Sequence, residues 1–269
     1  MLSDTTTVGE LLRDWRQRRR LSQLDLASEA EISQRHLSFI ESGRSAPSRE
    51  MVLHLAEQLS VPPRESNTLL TAAGYAPVYS TRSGDDPQFA AAKKAVSLIL
   101  KGHEPFPALA IDRHWHMIEA NGAVAPLIAD VDCALLEPPV NVLRLSLHPN
   151  GLAPRIENYG EWREHVLRRL SQQIELTADR GLIALRDELK GYQTQPQRRP
   201  LKPSLGLGGI AVPFKIATDA GVLSFLTTTT VFGTALDISL SELAIESFFP
   251  ADEATANGLI GLRHANESP

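Results

Sequence analysis

The sequence predicts a two-domain protein, in which an all-α domain of five helices precedes an α+β domain with a small antiparallel sheet. At 269 residues the chain is long enough for two domains. Residues 21–43 have the pattern of two short capped helices, and residues 80–87 form a polar stretch with Gly and Pro that is typical of a linker. Beyond it, strand-like and helix-like segments follow one another. We therefore expect domains at 1–78 and 88–269, joined by a linker at 79–87.

The segment LSQLDLASEAEISQRHLSFIESG, residues 21–43, carries the sharpest local pattern. Ser22 is placed to cap a first helix, with Asp25 three residues later as a capping box and Leu24 among its apolar residues. Ser33 is placed to cap a second helix. Two short helices with about three residues between them fit a helix-turn-helix, whose second helix enters the major groove of DNA. The expected partner is a double-stranded DNA operator.

Three further helices complete the predicted first domain. Apolar residues at helical spacing indicate one helix around residues 8–15, and Ser48 is placed to begin another. Residues 64–73 form the last helix and end at Gly74. Short connections of this kind are typical of a compact helical domain.

The second domain mixes helical and strand patterns. Residues 107–121 read as a two-stranded hairpin that turns near Asp112. The expected helices are 89–100, 122–129, 161–176 and 182–189, and the further strands are 210–217, 222–231 and 243–249. We expect these strands to form one small antiparallel sheet, which makes the domain α+β.

The composition argues against several classes of protein. Cys133 is the single cysteine, which excludes an internal disulfide framework and a Cys-rich zinc site and suits a reducing cytoplasm. No apolar run approaches the roughly 18 residues of a membrane span, so no membrane partner is expected. The formal net charge of -5 is low for a DNA-binding protein, but arginines cluster between Arg13 and Arg20 and can neutralise phosphates locally.

The second helix of the motif carries the predicted base contacts. Gln can pair with adenine and Arg with guanine through two hydrogen bonds, which suits Gln34 and Arg35, while Phe39 can contact a thymine methyl. Gln23 is placed to donate to a phosphate and to brace Gln34. The alternative is that these side chains only cover a solvated helix. The predicted DNA-binding residues are Gln23, Ser33, Gln34, Arg35, Ser38, Phe39 and Arg44. Because one such domain rarely supplies enough contacts alone, we expect a homodimer.

No catalytic, cofactor or metal site is predicted. His114 and His116 would share one face of a strand, but no Cys or carboxylate lies at a convincing ligand spacing, which favours ordinary surface histidines. Gly206–Ala211 matches GxGxxA, yet it opens a predicted strand, whereas the dinucleotide fingerprint needs a helix N-terminus. The chain has no GxSxG, HExxH or P-loop motif, so we expect a protein that is not an enzyme.

The first domain resembles the phage-repressor-type (XRE) helix-turn-helix family. The matching pattern is SQxxLA followed by ISxxxLSxIExG, which spans residues 22–43 here. The resemblance implies that Arg16 pairs with Glu41 as a structural ion pair. Glu31 departs from the family, which usually has Gly in the turn, and a positive φ would cost Glu more than Gly.

The rest of the chain resembles the MmyB-type transcription regulators. The resemblance is carried by Asp112–Asn121, Leu136–Arg155, Glu161–Arg163, LSFLTTTTVFGTALD from Leu223, and Glu246–Asp252. It implies a PAS-like module with an apolar pocket for a small, acyl-type ligand. The alternative is a plain packed core without a cavity.

The predicted ligand-binding residues are apolar side chains together with two polar ones that flank the loop PNGLAP. They are Trp115, Leu143, Leu145, His148, Arg155, Phe225 and Phe232. Arg155 could bind a ligand carboxylate through two hydrogen bonds, or His148 and Arg155 could instead fix the loop to the domain.

The sequence thus predicts a bacterial DNA-binding transcription regulator that senses a small lipophilic, fatty-acid-like molecule. In the alternative function, the second domain serves protein interaction or dimerisation and binds no effector. The two functions differ in whether a small molecule stabilises the second domain.

Overall fold

The structure is a computed structural model that divides into two compact units. The described residues are 6–79, 87–192, 212–219, 221–231 and 242–267. Most of the predicted linker, the GxGxxA segment at 206–211 and Phe232 lie outside them. Within the described ranges, no helix is both long and apolar enough to cross a membrane.

The first unit contains the five predicted helices. They are α1 (Val8–Arg18), α2 (Gln23–Glu29), α3 (Gln34–Glu41), α4 (Arg49–Gln58) and α5 (Pro63–Ala72). A hydroxyl caps each of the first four, because Thr7, Ser22, Ser33 and Ser48 each accept a hydrogen bond from the backbone N–H three residues later. The predicted capping box of Ser22 with Asp25 is present. The helix-turn-helix fold predicted from the caps is confirmed.

The core of the first unit is built from leucines that are fully buried. They are Leu12, Leu26, Leu37, Leu55, Leu59 and Leu70. Leu24, which we expected on the apolar side of α2, is instead 61% exposed. At 3.6 residues per turn, a residue two positions before Leu26 lies on the opposite side of the helix, so the two leucines cannot share the core.

Two backbone features set the geometry around α3. Glu31 lies in the turn before it with φ of 51°, the left-handed conformation in which a Gly is usually found. Gly9 of α1 lies against the end of α3, where an added Cβ would come within 2.4 Å of the Ile40 carbonyl oxygen. Gly9 therefore permits a close approach of α1 to α3 that no larger residue allows.

The second unit is built on a five-stranded sheet in the order β2-β1-β5-β4-β3. The strands are β1 (Ala108–Ile111), β2 (Met117–Ala120), β3 (Phe214–Thr218), β4 (Gly221–Val231) and β5 (Ala244–Pro250). All neighbours pair antiparallel, and β5 lies between β1 and β4. The predicted α+β, PAS-like architecture with one antiparallel sheet is confirmed.

Helices and short turns surround this sheet. The helices are α6 (Pro87–Gly102), α7 (Ala125–Ile128), α8 (Val142–Leu147), α9 (Tyr159–Thr177), α10 (Arg180–Gly191) and α11 (Glu253–Glu267). The sequence pattern predicts all of them except α8 and α11. In α8 the letters VLRLSL alternate as in a strand, but the Asn141 side chain accepts from the backbone N–H groups of Leu143 and Arg144 and so begins a helix. For α11, the Asp252 carboxylate accepts from the N–H of Thr255.

Candidate functional site

The exposed face of α3 presents the predicted base-reading side chains. Gln34 and Arg35 are exposed, whereas Ser38 and Phe39 are half-buried. The guanidinium carbon of Arg35 lies 5.3 Å from the Phe39 ring centroid, and that of Arg44 lies 5.8 Å from the same centroid. Cations near an aromatic face are attracted to it, so Phe39 restrains two arginines that can reach DNA.

The inner side of α3 is anchored by a buried ion pair. Arg16 Nε and Nη2 donate to the two carboxylate oxygens of Glu41 at 2.7 and 2.9 Å, which confirms the pair implied by the family resemblance. We expected Gln23 to brace Gln34. Instead, the Gln23 amide nitrogen donates to Glu41 Oε2 at 2.8 Å, so Gln23 holds Glu41 in place. Burial raises the pKa of Glu41, but the hydrogen bonds from Arg16 and Gln23 outweigh it and lower the pKa below its usual value.

Ser33 and Arg44 complete the predicted DNA-binding set. The Ser33 hydroxyl accepts from the His36 N–H at 3.1 Å as the cap of α3, and it retains its own O–H for donation. Arg44 is exposed just after the end of α3. The predicted DNA-binding residues therefore lie on and around one exposed face of α3, and two of them, Arg35 and Arg44, are cationic.

The second unit encloses a cavity of about 100 Å³ between its sheet and helices α7 to α9. Of the predicted ligand-binding residues, Trp115, Leu143 and Leu145 lie in its lining. The other apolar lining residues are Pro107, Leu109, Met117, Val124, Leu127, Ile128, Val142, Leu152, Trp162, Val166, Phe214 and Phe248. An apolar lining of this kind suits an apolar ligand.

Three of the other predicted residues, His148, Arg155 and Phe225, lie outside the lining. Phe225 is fully buried and packs near Phe214, with the ring centroids 6.3 Å apart. Arg155 donates from Nε and Nη1 to the backbone carbonyls of Ala217 and Leu127 at 3.1 and 2.9 Å. His148 Nδ1 accepts from the N–H of Asn150 at 3.0 Å. The Arg155 contacts hold the end of the PNGLAP loop to β3 and α7, whereas the His148 contact lies within the loop.

One polar wall of the cavity is formed by residues that the sequence did not single out. Arg169 Nη1 donates to Glu246 Oε2 at 3.0 Å, and Arg169 Nη2 donates to Glu246 Oε1 and to the Thr229 hydroxyl. The guanidinium carbon of Arg169 also lies 4.7 Å from the centroid of the Trp115 ring. Glu246 is only 5% exposed. The positive charge of Arg169 and the negative charge of Glu246 therefore compensate each other within the cavity wall.

A histidine adds to this wall without adding charge near neutral pH. His165 stacks on Trp162 with the ring centroids 5.4 Å apart. Burial, together with the nearby Arg169 and Arg168 guanidinium groups, lowers the pKa of His165 below 6.5. Trp162 Nε1 in turn donates to the Ser146 hydroxyl at 2.9 Å. The wall is therefore polar but close to neutral overall.

Helical spacing could have revealed part of this wall. Trp162, His165, Val166 and Arg169 recur at i, i+3, i+4 and i+7, which places them on one face of α9. No pattern in the sequence points to Glu246. The alternating residues of the β5 segment begin at Leu243 and fall on odd positions, so they lie on the face opposite to Glu246.

A second polar cluster lies at the turn between β1 and β2. The Asp112 carboxylate accepts through Oδ1 from the backbone N–H groups of His114 and His116, both at 2.8 Å. Its Oδ2 lies 3.0 Å from His116 Nδ1, and His114 Nε2 lies 2.9 Å from Asp179 Oδ2. The two imidazoles thus have carboxylate neighbours that their spacing in the sequence does not reveal.

Comparisons with known proteins assign both units. The profile of the MmyB-like transcription regulator ligand binding domain matches residues 92–260, and a helix-turn-helix profile matches residues 12–66. No curated protein matches the sequence.

One solved structure, described as an RNA-binding Light-Oxygen-Voltage Receptor, aligns at 15% identity with a TM-score of 0.26. The alignment covers 97% of this chain and 65% of that one, and at this TM-score it supports no inference. The two profiles, the capped helix-turn-helix and the apolar cavity agree with one another. The chain belongs to the MmyB-like transcription regulators, as a DNA-binding regulator with a ligand-binding domain.

Proposed function

We propose that the cavity binds one small lipophilic molecule with an alkyl chain, and that this ligand biases operator binding by a homodimer. Residues 1–78 would bind DNA and residues 88–269 would bind the ligand. The observation that carries this proposal is the cavity itself, whose lining is apolar apart from the wall formed by Ser146, His165, Arg169, Thr227 and Glu246.

The size of the cavity limits the ligand. Its volume is about 100 Å³. An apolar cavity of roughly 150 Å³ holds benzene. The cavity therefore fits a short alkyl chain as it stands, and a longer chain requires lining side chains to move.

The charges in the wall favour a neutral head group. Arg169 already pairs with Glu246, so a ligand carboxylate must compete with a buried carboxylate for the same guanidinium. A hydroxyl group needs no such exchange, since it can donate to Glu246 or accept from Ser146. We therefore expect an alcohol to bind at least as tightly as an acid of equal chain length.

Thermal unfolding of the full chain with hexan-1-ol and with hexanoate tests the proposal. A ligand that binds only the folded state raises stability by about 2.7 kcal/mol at 100 times its Kd. Leu143→Trp fills the cavity from its lining and should abolish the shift, while Leu24→Trp on the exposed face of α2 serves as the control. If neither compound shifts the wild-type chain, the second unit functions as an interaction module without effector.

The proposal for the DNA-binding unit follows the exposed face of α3. Gln34, Arg35, Ser38 and Phe39 read bases, while Gln23, Ser33 and Arg44 contact phosphates. A palindromic operator with half-sites about one helical turn apart would match a two-fold homodimer. We propose that this regulator acts in the bacterial cytoplasm, where its operator lies.

Light scattering with and without a selected operator duplex tests the dimer. Two chains bound per duplex support it, whereas one chain per duplex at saturation contradicts it.

A further inference from the structure

We propose that Asp112, His114 and His116 form a binding site for a divalent transition-metal ion such as Zn²⁺. This site lies at the β1–β2 turn of the second unit. Its potential ligand atoms, one from each residue, all lie within 4.8 Å of one another. Two imidazole nitrogens and one carboxylate oxygen are a ligand set that suits Zn²⁺, Co²⁺ and Ni²⁺.

The spacing of the ligand atoms is close to what a metal needs. His116 Nδ1 and Asp112 Oδ2 are 3.0 Å apart. Two ligands that each bind Zn²⁺ at about 2.0–2.1 Å with tetrahedral angles lie about 3.3 Å apart. An ion can therefore replace the proton between these two atoms with little movement of either side chain. An imidazole nitrogen of His114 already lies within 4.8 Å of both atoms.

The surroundings orient the ligands before any ion arrives. The Asp112 carboxylate is fixed through Oδ1 by the backbone N–H groups of His114 and His116. His114 Nε2 is held by Asp179, which also caps α10 through the N–H of Gly181. A carboxylate bound to one imidazole nitrogen orients the other nitrogen, here Nδ1 of His114, as in carboxylate–histidine–zinc arrangements.

An ion can reach this cluster from solvent. The side chains of His114, His116 and Asp112 are 33%, 28% and 30% exposed. Three protein ligands leave at least one coordination position for water, as in zinc sites that are not closed. Trp115 lies between the two histidines with φ of 68°, and its ring lines the cavity of the same unit. An ion bound to both neighbours would fix this part of the cavity wall.

Titration of the full chain with Co²⁺, followed by visible absorption and by calorimetry, tests the site. We expect one ion per chain in the wild type and at least tenfold weaker binding in His116→Gln, His114→Gln and Asp112→Asn. The Asn variant keeps the Oδ1 acceptor of the turn but loses the carboxylate charge. His36→Gln, in the first unit, is the matched control and should bind as the wild type does.

Thermal unfolding without metal establishes that the variants are folded, and added Zn²⁺ should then raise the melting temperature of the wild type and of His36→Gln only. Equal Co²⁺ affinity in the wild type and in folded His116→Gln and Asp112→Asn would overturn the proposal. Failure of the wild type to take up Co²⁺ or Zn²⁺ would overturn it as well.

Discussion

Arg16 and Glu41 form a two-point ion pair on the inner side of α3, with Arg16 Nε 2.7 Å and Nη2 2.9 Å from the two carboxylate oxygens. The Glu41 side chain is 0% exposed and that of Arg16 is 10% exposed. Removing one partner of a buried pair leaves the other charge uncompensated, whereas removing both does not. This pair therefore connects α1 to α3 by electrostatics as well as by packing.

We predict that Arg16→Ala and Glu41→Ala each lower the free energy of unfolding by about 3 kcal/mol. The double variant should lose less than the sum of the two single losses, because neither charge is then left unpaired. Chemical denaturation of the full chain, followed by far-ultraviolet circular dichroism, measures the three losses. Strict additivity would show that the two side chains are not coupled.

The same pair predicts how stability depends on pH. Burial raises the pKa of Glu41, but hydrogen bonds from Arg16 and Gln23 lower that pKa by a larger amount. The pKa in the folded state therefore lies below the ordinary value of 4.5. A depressed carboxyl pKa contributes stability above the unfolded pKa, and that contribution is lost as pH falls through the folded pKa. The stability difference between the wild type and Glu41→Gln should therefore be constant from pH 7 to about 5 and shrink below pH 4.5.

Urea unfolding of both proteins across this pH range gives the difference directly. Glu29→Gln, at the exposed end of α2, is the matched control. A difference that grows towards acid pH would contradict the predicted sign.

Arg35 should read sequence, whereas Arg44 should only position the protein. Arg35→Ala should weaken binding to a selected operator by about 1–3 kcal/mol and change binding to a scrambled duplex little. Arg35→Lys should lose most of the discrimination too, because Lys lacks the planar fork that pairs with guanine. Fluorescence anisotropy with both duplexes at one fixed salt concentration measures these effects.

Arg44→Ala is the companion variant, since it removes the second guanidinium near Phe39. It should weaken binding to both duplexes by a similar factor, as expected for a phosphate contact. If Arg35→Ala also weakens both duplexes equally, Arg35 contacts phosphate and not a base.

Replacing Glu31 in the turn of the helix-turn-helix should stabilise the protein. Glu31 has φ of 51°, a conformation that is costly for residues other than Gly. Glu31→Gly should raise the free energy of unfolding by about 1 kcal/mol, because the relieved strain exceeds the added flexibility of the unfolded chain. Glu29→Gly places the same change at the last residue of α2, where the backbone is helical, and should lower stability by at most about 1 kcal/mol. Equal losses in the two variants would mean that the turn is not strained.

Local patterns in the sequence predict the helical unit almost completely. The starts of α1 to α4 are marked by a hydroxyl residue such as Ser22 or Ser33, and α5 begins at Pro63. A cap depends on a neighbour only three residues away, so it is visible in the sequence. The exception is Leu24, because a helix of seven residues has too little periodicity to define its buried face.

The second unit depends more on contacts between distant residues. The strand patterns in the sequence predict the sheet. The sequence of α8 alternates as a strand does, but the segment is helical because the Asn141 side chain caps its first turn. The cavity wall joins Arg169 of α9 to Glu246 of β5, which are 77 residues apart in the chain. Likewise, the predicted role of Arg155 depends on where its guanidinium points, and the structure directs it to the carbonyls of Leu127 and Ala217.

Gly9 has a consequence for how operator preference can change in this protein. A methyl group at this position would lie 2.4 Å from the Ile40 carbonyl oxygen, so any larger residue there would push α3 away from α1. With the backbone of α3 fixed at its C-terminal end, the route to a new target sequence is exchange of outward side chains such as Gln34 or Arg35. A substitution at position 9 would therefore move the α3 surface, whereas an exchange of Gln34 or Arg35 would change its chemistry and leave its position unchanged.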